Sequence, residues 1–317
     1  MAQPTEAPRL EPNTPPLHAL GGWRAALYRQ TRKRPYIFYI APALIVLLAV
    51  AIYPIVFSTG LSFFRVTFDS LDRPFVGFEN FIRILEDSDY RLVMGNTLLY
   101  VLITVSGSVA LGFGTALLLR RITVGRNWLR VILIIPMMMA PIVVGLTWHW
   151  MLDPLFGLIN WVATGLGLPR QTLLAQAATA RVVVMLVDIW QWYPLVFLII
   201  DAGLSSLPRA PYESARLEGA SPWMVFRRIT LPMLRPVLLV ALLLRTVDAF
   251  RTFDLVRVMT DGGPNMTTET LSLFLYRTAF TFNKLSRAGA GATIMLIVIG
   301  IVSAVMFRYL YRDVEAR

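Results

Sequence analysis

Six apolar runs dominate the chain, at 37–63, 97–119, 131–152, 182–204, 237–253 and 290–310. Each can cross a hydrocarbon layer of about 30 Å, which takes roughly 20 helical residues. Backbone polar groups find no water inside a bilayer and must bond within their own segment. The period-two alternation of a barrel strand is absent, so the runs predict helices. The fold class is therefore all-α: a polytopic membrane protein with six transmembrane helices. The fifth run is the shortest and most polar. Pro42, Pro54, Pro136, Pro141 and Pro194 sit inside runs and predict kinks. Ala288-Gly-Ala-Gly-Ala292 permits close helix packing at the start of the sixth.

Composition agrees with the pattern. The 317 residues are 56% hydrophobic and 15% charged, where a soluble domain carries about 25% charged residues. Mean hydropathy is +0.61. The net charge of +11 does not indicate nucleic acid, because the basic residues are spread over short loops and form no single patch. There is no cysteine, and only His18 and His149, which excludes disulfides, thiolate metal sites and a histidine-rich metal site. Residues 1–35 form a polar arm, Pro-rich and then basic. It is too long and too polar for a signal-peptide n-region, and the run after it is long enough to stay as a helix.

Orientation follows from Lys and Arg. Eighteen lie in the arm, the second–third connection, the fourth–fifth connection and the tail; ten lie in the other three connections. Both termini and the fourth–fifth connection are thus expected in the cytoplasm. The expected division is a cytoplasmic arm at 1–35, a transmembrane domain at 36–311 containing a cytoplasmic loop at 205–235, and a cytoplasmic tail at 312–317.

That loop reads as two short helices and a break. Pro208 and Pro211 open the first helix, where a fixed φ is tolerated. Glu213 lies in its first turn, favourable against the helix dipole. Gly219 can end it with a positive φ. Ser221-Pro222 reads as an N-cap followed by Pro at the first helical position. Trp223, Val225, Phe226 and Ile229 give the second helix an apolar stripe, and Leu231-Pro232 hands the chain to the fifth run. Taken alone, such a loop could equally lie on lipid headgroups.

The order of residues narrows this. Glu213, Ala215, Glu218, Gly219, Ala220, Phe226, Ile229, Leu231 and Pro232 match the EAA motif of ABC importer permeases, with Ser214 where Ala is usual and Glu218 where Asp is common. Phe75-Val-Gly-Phe-Glu-Asn-Phe81, Asn96-Thr97, Thr260-Asp-Gly-Gly-Pro264, Thr268-Glu-Thr-Leu271 and Tyr276-Arg-Thr-Ala-Phe280 extend the likeness, with Asp261 where Gly is usual. Nearly the whole chain resembles the maltose-type sugar permease family, the inner-membrane subunit of binding-protein-dependent ABC importers. The resemblance implies the type I ABC importer permease fold in a bacterial cytoplasmic membrane. It also implies a second homologous permease subunit, two ATPase subunits gripped through the EAA loop, and an extracytoplasmic solute-binding protein that delivers a sugar. No cofactor belongs to this chain; ATP and Mg belong to the ATPases. Lys33 and Lys284 are the only lysines and neither sits in a phosphate loop, so energy must come from another chain or from an ion gradient.

Ionisable groups within spans are costly and default to functional candidates. The fourth run holds Asp188, Gln191, Trp192 and, nearer the cytoplasm, Asp201; the fifth and its end hold Arg245, Asp248, Arg251, Thr252 and Asp254. Arg245, Asp248 and Thr252 would share one helical face. Gln191, Trp192, Arg245, Asp248 and Thr252 are the candidate substrate pathway, since sugar hydroxyls suit Asp, Arg and Gln and an apolar sugar face suits an indole. Asp188, Arg251 and Asp254 are candidate partners in intramembrane ion pairs that fix packing. Two arginines also leave room for glycerol phosphate or an anionic sugar, and the family covers sugar alcohols. Trp148-His149-Trp150 fits an interfacial aromatic belt. The alternative from another class is an ion-coupled secondary transporter using Asp188 and Asp248. Such proteins commonly show inverted repeats, and the two halves here do not match. No nucleophile–base pair or metal-ligand cluster points to an enzyme.

Overall fold

The computed structural model describes residues 35–66 and 73–315. The arm predicted at 1–35, apart from its last residue, and the final residues 316–317 of the tail lie outside the described residues. The chain falls into two units, Met1–Phe57 and Ser58–Arg317.

In the first unit, α1 (Pro35–Leu47) passes through a π-helical turn, Leu48–Ile52, into α2 (Tyr53–Leu61). Tyr39–Leu61 is apolar enough to cross a membrane, and none of its residues is buried. The rings of Tyr53 and Phe57 stack along it at 5.8 Å.

Among its described residues the second unit's regular elements are helices joined by turns and loops, apart from one isolated bridge between Phe64 and Phe75. Its elements are α3 (Glu79–Glu86), α4 (Ser88–Leu119), α5 (Arg126–Met138), α6 (Pro141–Met151), α7 (Leu158–Gly165), α8 (Ala177–Ser205), α9 (Ala210–Leu217), α10 (Pro222–Val225), α11 (Leu231–Phe250), α12 (Asp254–Met259), α13 (Leu271–Tyr276) and α14 (Leu285–Glu315). The Asp87 side chain accepts from the backbone of Asp89 and Tyr90 and caps α4, so this span starts well before the apolar run at 97.

Helices α4 and α8 form the central pair, and α11 packs across both. Gly112 sets their separation: a Cβ there would lie 2.8 Å from the Phe197 nitrogen and 2.9 Å from the Tyr193 carbonyl. Around this crossing Ala116, Val196, Phe197, Ile200, Leu204, Leu234 and Ala241 are buried together. A second apolar cluster, including Tyr100, Val144, Val184, Val187, Leu255 and Val256, joins α4, α6, α8 and α12.

Two of the predicted spans take a different form. The third is two helices, α5 and α6, bent by 92° at Met139–Ala140. Pro141 pushes Ala140 into an extended conformation (φ −62°, ψ 136°), and Met139 follows (φ −80°, ψ 139°). The carbonyl of Met139 accepts a 3.2 Å bond from Gln191 Nε2 on α8. The fifth begins at Pro222, inside the loop, and runs as one 29-residue helix to Phe250 through a π-helical turn, Phe226–Thr230. The loop's second helix runs on into the fifth span as one continuous helical rod, and Leu231-Pro232 stands where the π-helical turn gives way to α11.

Candidate functional site

The loop at 205–235 is built by local capping. Pro211 lies in the first turn of α9, and Glu213 stands there exposed. Gly219 has φ +71°. Ala220 N–H donates to the Ala215 carbonyl at 2.9 Å and Gly219 N–H to Arg216 at 3.1 Å, the paired bonds of a Schellman cap. Glu218 occupies the C-cap position and Ala220 is half-buried behind it. Ser221 Oγ then accepts from Met224 N–H at 3.3 Å, and Pro222 opens the next helix. Tyr212 donates to Thr230 Oγ1 at 3.1 Å and ties the two halves together.

Ala215 faces inward while Glu213, Arg216, Leu217 and Glu218 face out, Leu217 being 91% exposed. Phe226 turns inward, stacking on Trp223 at 5.5 Å and meeting Phe113 of α4 edge-on at 5.8 Å. Ile229 is half-buried, Leu231 is exposed, and Pro232 lies in the first turn of α11. One half of the motif thus presents a polar knob with an apolar tip, and the other half anchors it.

At the other end of the rod lies the polar cluster. Arg245, fully buried on α11, forms an ion pair with buried Asp188 of α8. Its Nη1 reaches Asp248 at 3.2 Å and its Nε donates to Ser108 Oγ of α4 at 3.2 Å. Three helices are pinned by one guanidinium. Removing a charge from water is costly unless it is paired and bonded, and here it is both. Asp188 keeps one carboxylate oxygen, Oδ2, without a hydrogen-bond partner.

A cavity of about 200 Å³ opens beside this cluster, lined by Pro141, Asp188, Trp192, Asp248, Arg251, Thr252, Phe253, Asp254 and Leu255. Of the five pathway candidates, Trp192, Asp248 and Thr252 line it. Gln191 and Arg245 are fully buried behind it, holding the α5–α6 break and the three-helix junction. The roles of Arg251 and Asp254 also change. Among the ion pairs of the described residues there is none between them; both line the cavity, where Arg251 acts electrostatically on Asp248. The reason is that α11 ends at Phe250, Arg251 takes the C-cap position (φ −91°, ψ 1°), and Asp254 opens α12. Thr252 therefore leaves the helical face shared by Arg245 and Asp248.

Other polar residues do structural work that the sequence pattern gives little sign of. Ser108 is a small residue in a Gly- and Ser-rich stretch. Asp201, buried, receives Arg126 at 3.1 Å and also Arg130, clamping the start of α5 to the end of α8. On the far side, Asn96 Nδ2 donates to the Met266 carbonyl at 2.8 Å and Thr97 Oγ1 accepts from Leu271 N–H at 2.8 Å. Arg181 donates to the Thr267 carbonyl at 3.2 Å. Arg277 bridges buried Glu269 at 3.0 Å and Asp261 at 2.7 Å. Burial raises the Glu269 carboxyl above its ordinary range, opposed by Arg277. The segments at 96–97 and 260–271 thus form one clasp.

Comparison with known proteins identifies the family. Residues 108–316 match the family described as binding-protein-dependent transport system inner membrane component. The trehalose/maltose transport system permease protein of Thermococcus litoralis is 36% identical over 272 residues, covering 86% of this chain and 90% of that one. The sulfoquinovosyl glycerol transport system permease protein of Agrobacterium fabrum is 34% identical over 274 residues, covering 86% and 89%. In fold, the chain superposes on a bacterial ABC transporter involved in the import of the acidic polysaccharide alginate, with a TM-score of 0.79 at 20% identity over 90% of this chain and 99% of that one. The chain belongs to the family of inner-membrane permease components of binding-protein-dependent ABC transport systems.

Proposed function

We propose that this chain forms one half of the translocation pathway of an ATP-driven sugar importer in a bacterial cytoplasmic membrane. The observation that carries this is mechanical. The motif loop and the polar cavity sit at the two ends of one helix, Pro222–Phe250. From Pro222 to Asp248 the rod is about 40 Å long at 1.5 Å per residue. A push on the loop at one membrane face is delivered to the cavity with little loss, because a packed helix does not compress.

In this account both termini and the loop lie in the cytoplasm. Glu213, Leu217 and Glu218 enter a groove on an ATPase subunit that binds ATP and Mg. A homologous permease subunit completes the pathway, and a binding protein delivers substrate from the opposite side. The arm, transmembrane domain and tail divide at 35–36 and 311–312. Trp192 offers an indole face to a sugar ring, while Asp188 Oδ2, Asp248 and Thr252 accept or donate to hydroxyls. The cavity holds three carboxylates and Arg251, with Arg245 already engaged. That balance favours a neutral sugar over an anion. Arg251, exposed on the cavity wall beside Asp248, is the feature that favours a sulfonate or carboxylate sugar.

Uptake by the reconstituted importer tests the site. Trp192→Ala and Asp248→Asn are expected to lower sugar uptake at least tenfold, about 1.4 kcal/mol of lost binding, while the subunits still assemble. Uptake at the wild-type rate in both variants would remove the cavity from the pathway.

A further inference from the structure

Between α6 and α8 the chain carries no charge from 154 to 169. This stretch contains α7, eight residues long and far too short to span a membrane. Its polarity is inverted relative to a helix on a water-soluble surface. Asn160 is buried, donating to the carbonyls of Asp153 at 3.2 Å and Gln171 at 2.9 Å and accepting from Gln171 N–H at 2.7 Å. The large apolar side chains point away: Phe156 is 86% exposed, Trp161 74% and Leu166 74%.

Two observations say what covers this face. First, Asn160 fastens α7 to the residues that end one span and lead into the next, so it is held where the chain leaves and re-enters the bilayer. Second, α7 packs on α6, whose own exposed stripe is Ile142, Leu146 and Trp150, one turn apart. The outward face of α7 continues that of a span whose surroundings are apolar.

We infer that α7 is an interfacial membrane anchor: it lies flat at the bilayer surface, with Phe156, Trp161 and Leu166 in the boundary between headgroups and acyl chains and Asn160 turned to the protein. Interfacial helices are held by the apolar area they bury, with the apolar face typically about 5–10 Å into the boundary between headgroups and acyl chains, and with no charge in this stretch that area is what would hold α7. It fixes the depth and tilt of α6 and hence of the bend at Met139–Ala140 next to the cavity.

The chain has no cysteine, so a single one can be placed and labelled. Phe156→Cys and Leu166→Cys, each carrying an environment-sensitive fluorophore, are assembled with cysteine-free partner subunits and reconstituted in phosphatidylglycerol–phosphatidylcholine vesicles. Arg170→Cys serves as the aqueous control. The inference predicts blue-shifted emission at 156 and 166 that loses most of its intensity to a lipid spin label near the headgroup and little to aqueous iodide. Quenching by iodide but not by the lipid label would place the face in water and overturn it. Protection from both quenchers would mean that another protein covers the face, and would overturn it equally. Both positions are exposed; should Phe156→Cys fail to assemble, Leu166→Cys alone decides.

Discussion

Arg245 is the residue on which most of the buried polarity depends. Among the described residues it alone pairs with Asp188, whose Oδ2 has no hydrogen-bond partner. Arg245→Met leaves that carboxylate buried and unpaired, and such a loss costs about 3–5 kcal/mol. The expected outcome is a large drop in the melting temperature of the purified protein in detergent, much of it restored when Asp188→Leu is added. A single variant as stable as wild type would mean that the pair is solvated. Glu269 makes a pH prediction. Its folded carboxyl titrates above the ordinary 4.5 because burial disfavours the charge. The folded state therefore binds a proton more readily than the unfolded chain does. Its contribution is fully present below the ordinary value and is lost as pH rises through the raised one. Glu269→Gln should flatten that fall in a series of thermal melts; an unchanged slope would assign it to other groups. The sequence displayed Arg245, Asp248 and Asp188 plainly, because charges in apolar runs stand out. It did not display which two would pair, since that depends on helix rotation, nor Ser108, whose hydroxyl is ordinary until a guanidinium reaches it.

At the scale of elements, local signals were the most legible. Gly219, Ser221 and Pro222 specify the loop's turn through backbone conformation alone, and the Schellman cap forms where the glycine stands. Gly219→Ala must hold a Cβ at φ +71°, a conformation that costs about 1–2 kcal/mol outside glycine. The expected result is an intact but mis-aimed loop: the complex still assembles and sugar-stimulated ATP hydrolysis falls several-fold. Undiminished stimulation would show that the loop's aim is unimportant. Less legible were the ends and continuity of spans. Apolar runs mark what touches lipid, and neither the start of α4 at Ser88 nor the rod's start at Pro222 is apolar enough to count. The prolines at 136 and 141 announced a kink but not a 92° break, because its size depends on Gln191 meeting the freed Met139 carbonyl from another helix. The end of α11 at Phe250 was hidden for the opposite reason: Arg251, Thr252 and Asp254 continue the helical spacing although the chain has already turned.

For the whole molecule, the sequence conveyed the class through its six runs and the family through a nine-position motif, while the way α4, α8 and α11 close on Arg245 required the fold. Exposed apolar side chains on every outer helix show that much of this surface meets lipid or other subunits, which no single chain displays. The central claim is that the loop at 205–235 transmits work from a separate ATPase to the cavity. The most direct test is to purify the chain with the proteins encoded beside it and to measure ATP hydrolysis with and without Glu213→Ala/Gly219→Asp. The account predicts recovery of a second permease and an ATPase, with substrate-stimulated hydrolysis that the double variant loses. Recovery of the chain alone, with uptake driven by an ion gradient in vesicles, would contradict it and make Asp188 and Asp248 the coupling carboxylates.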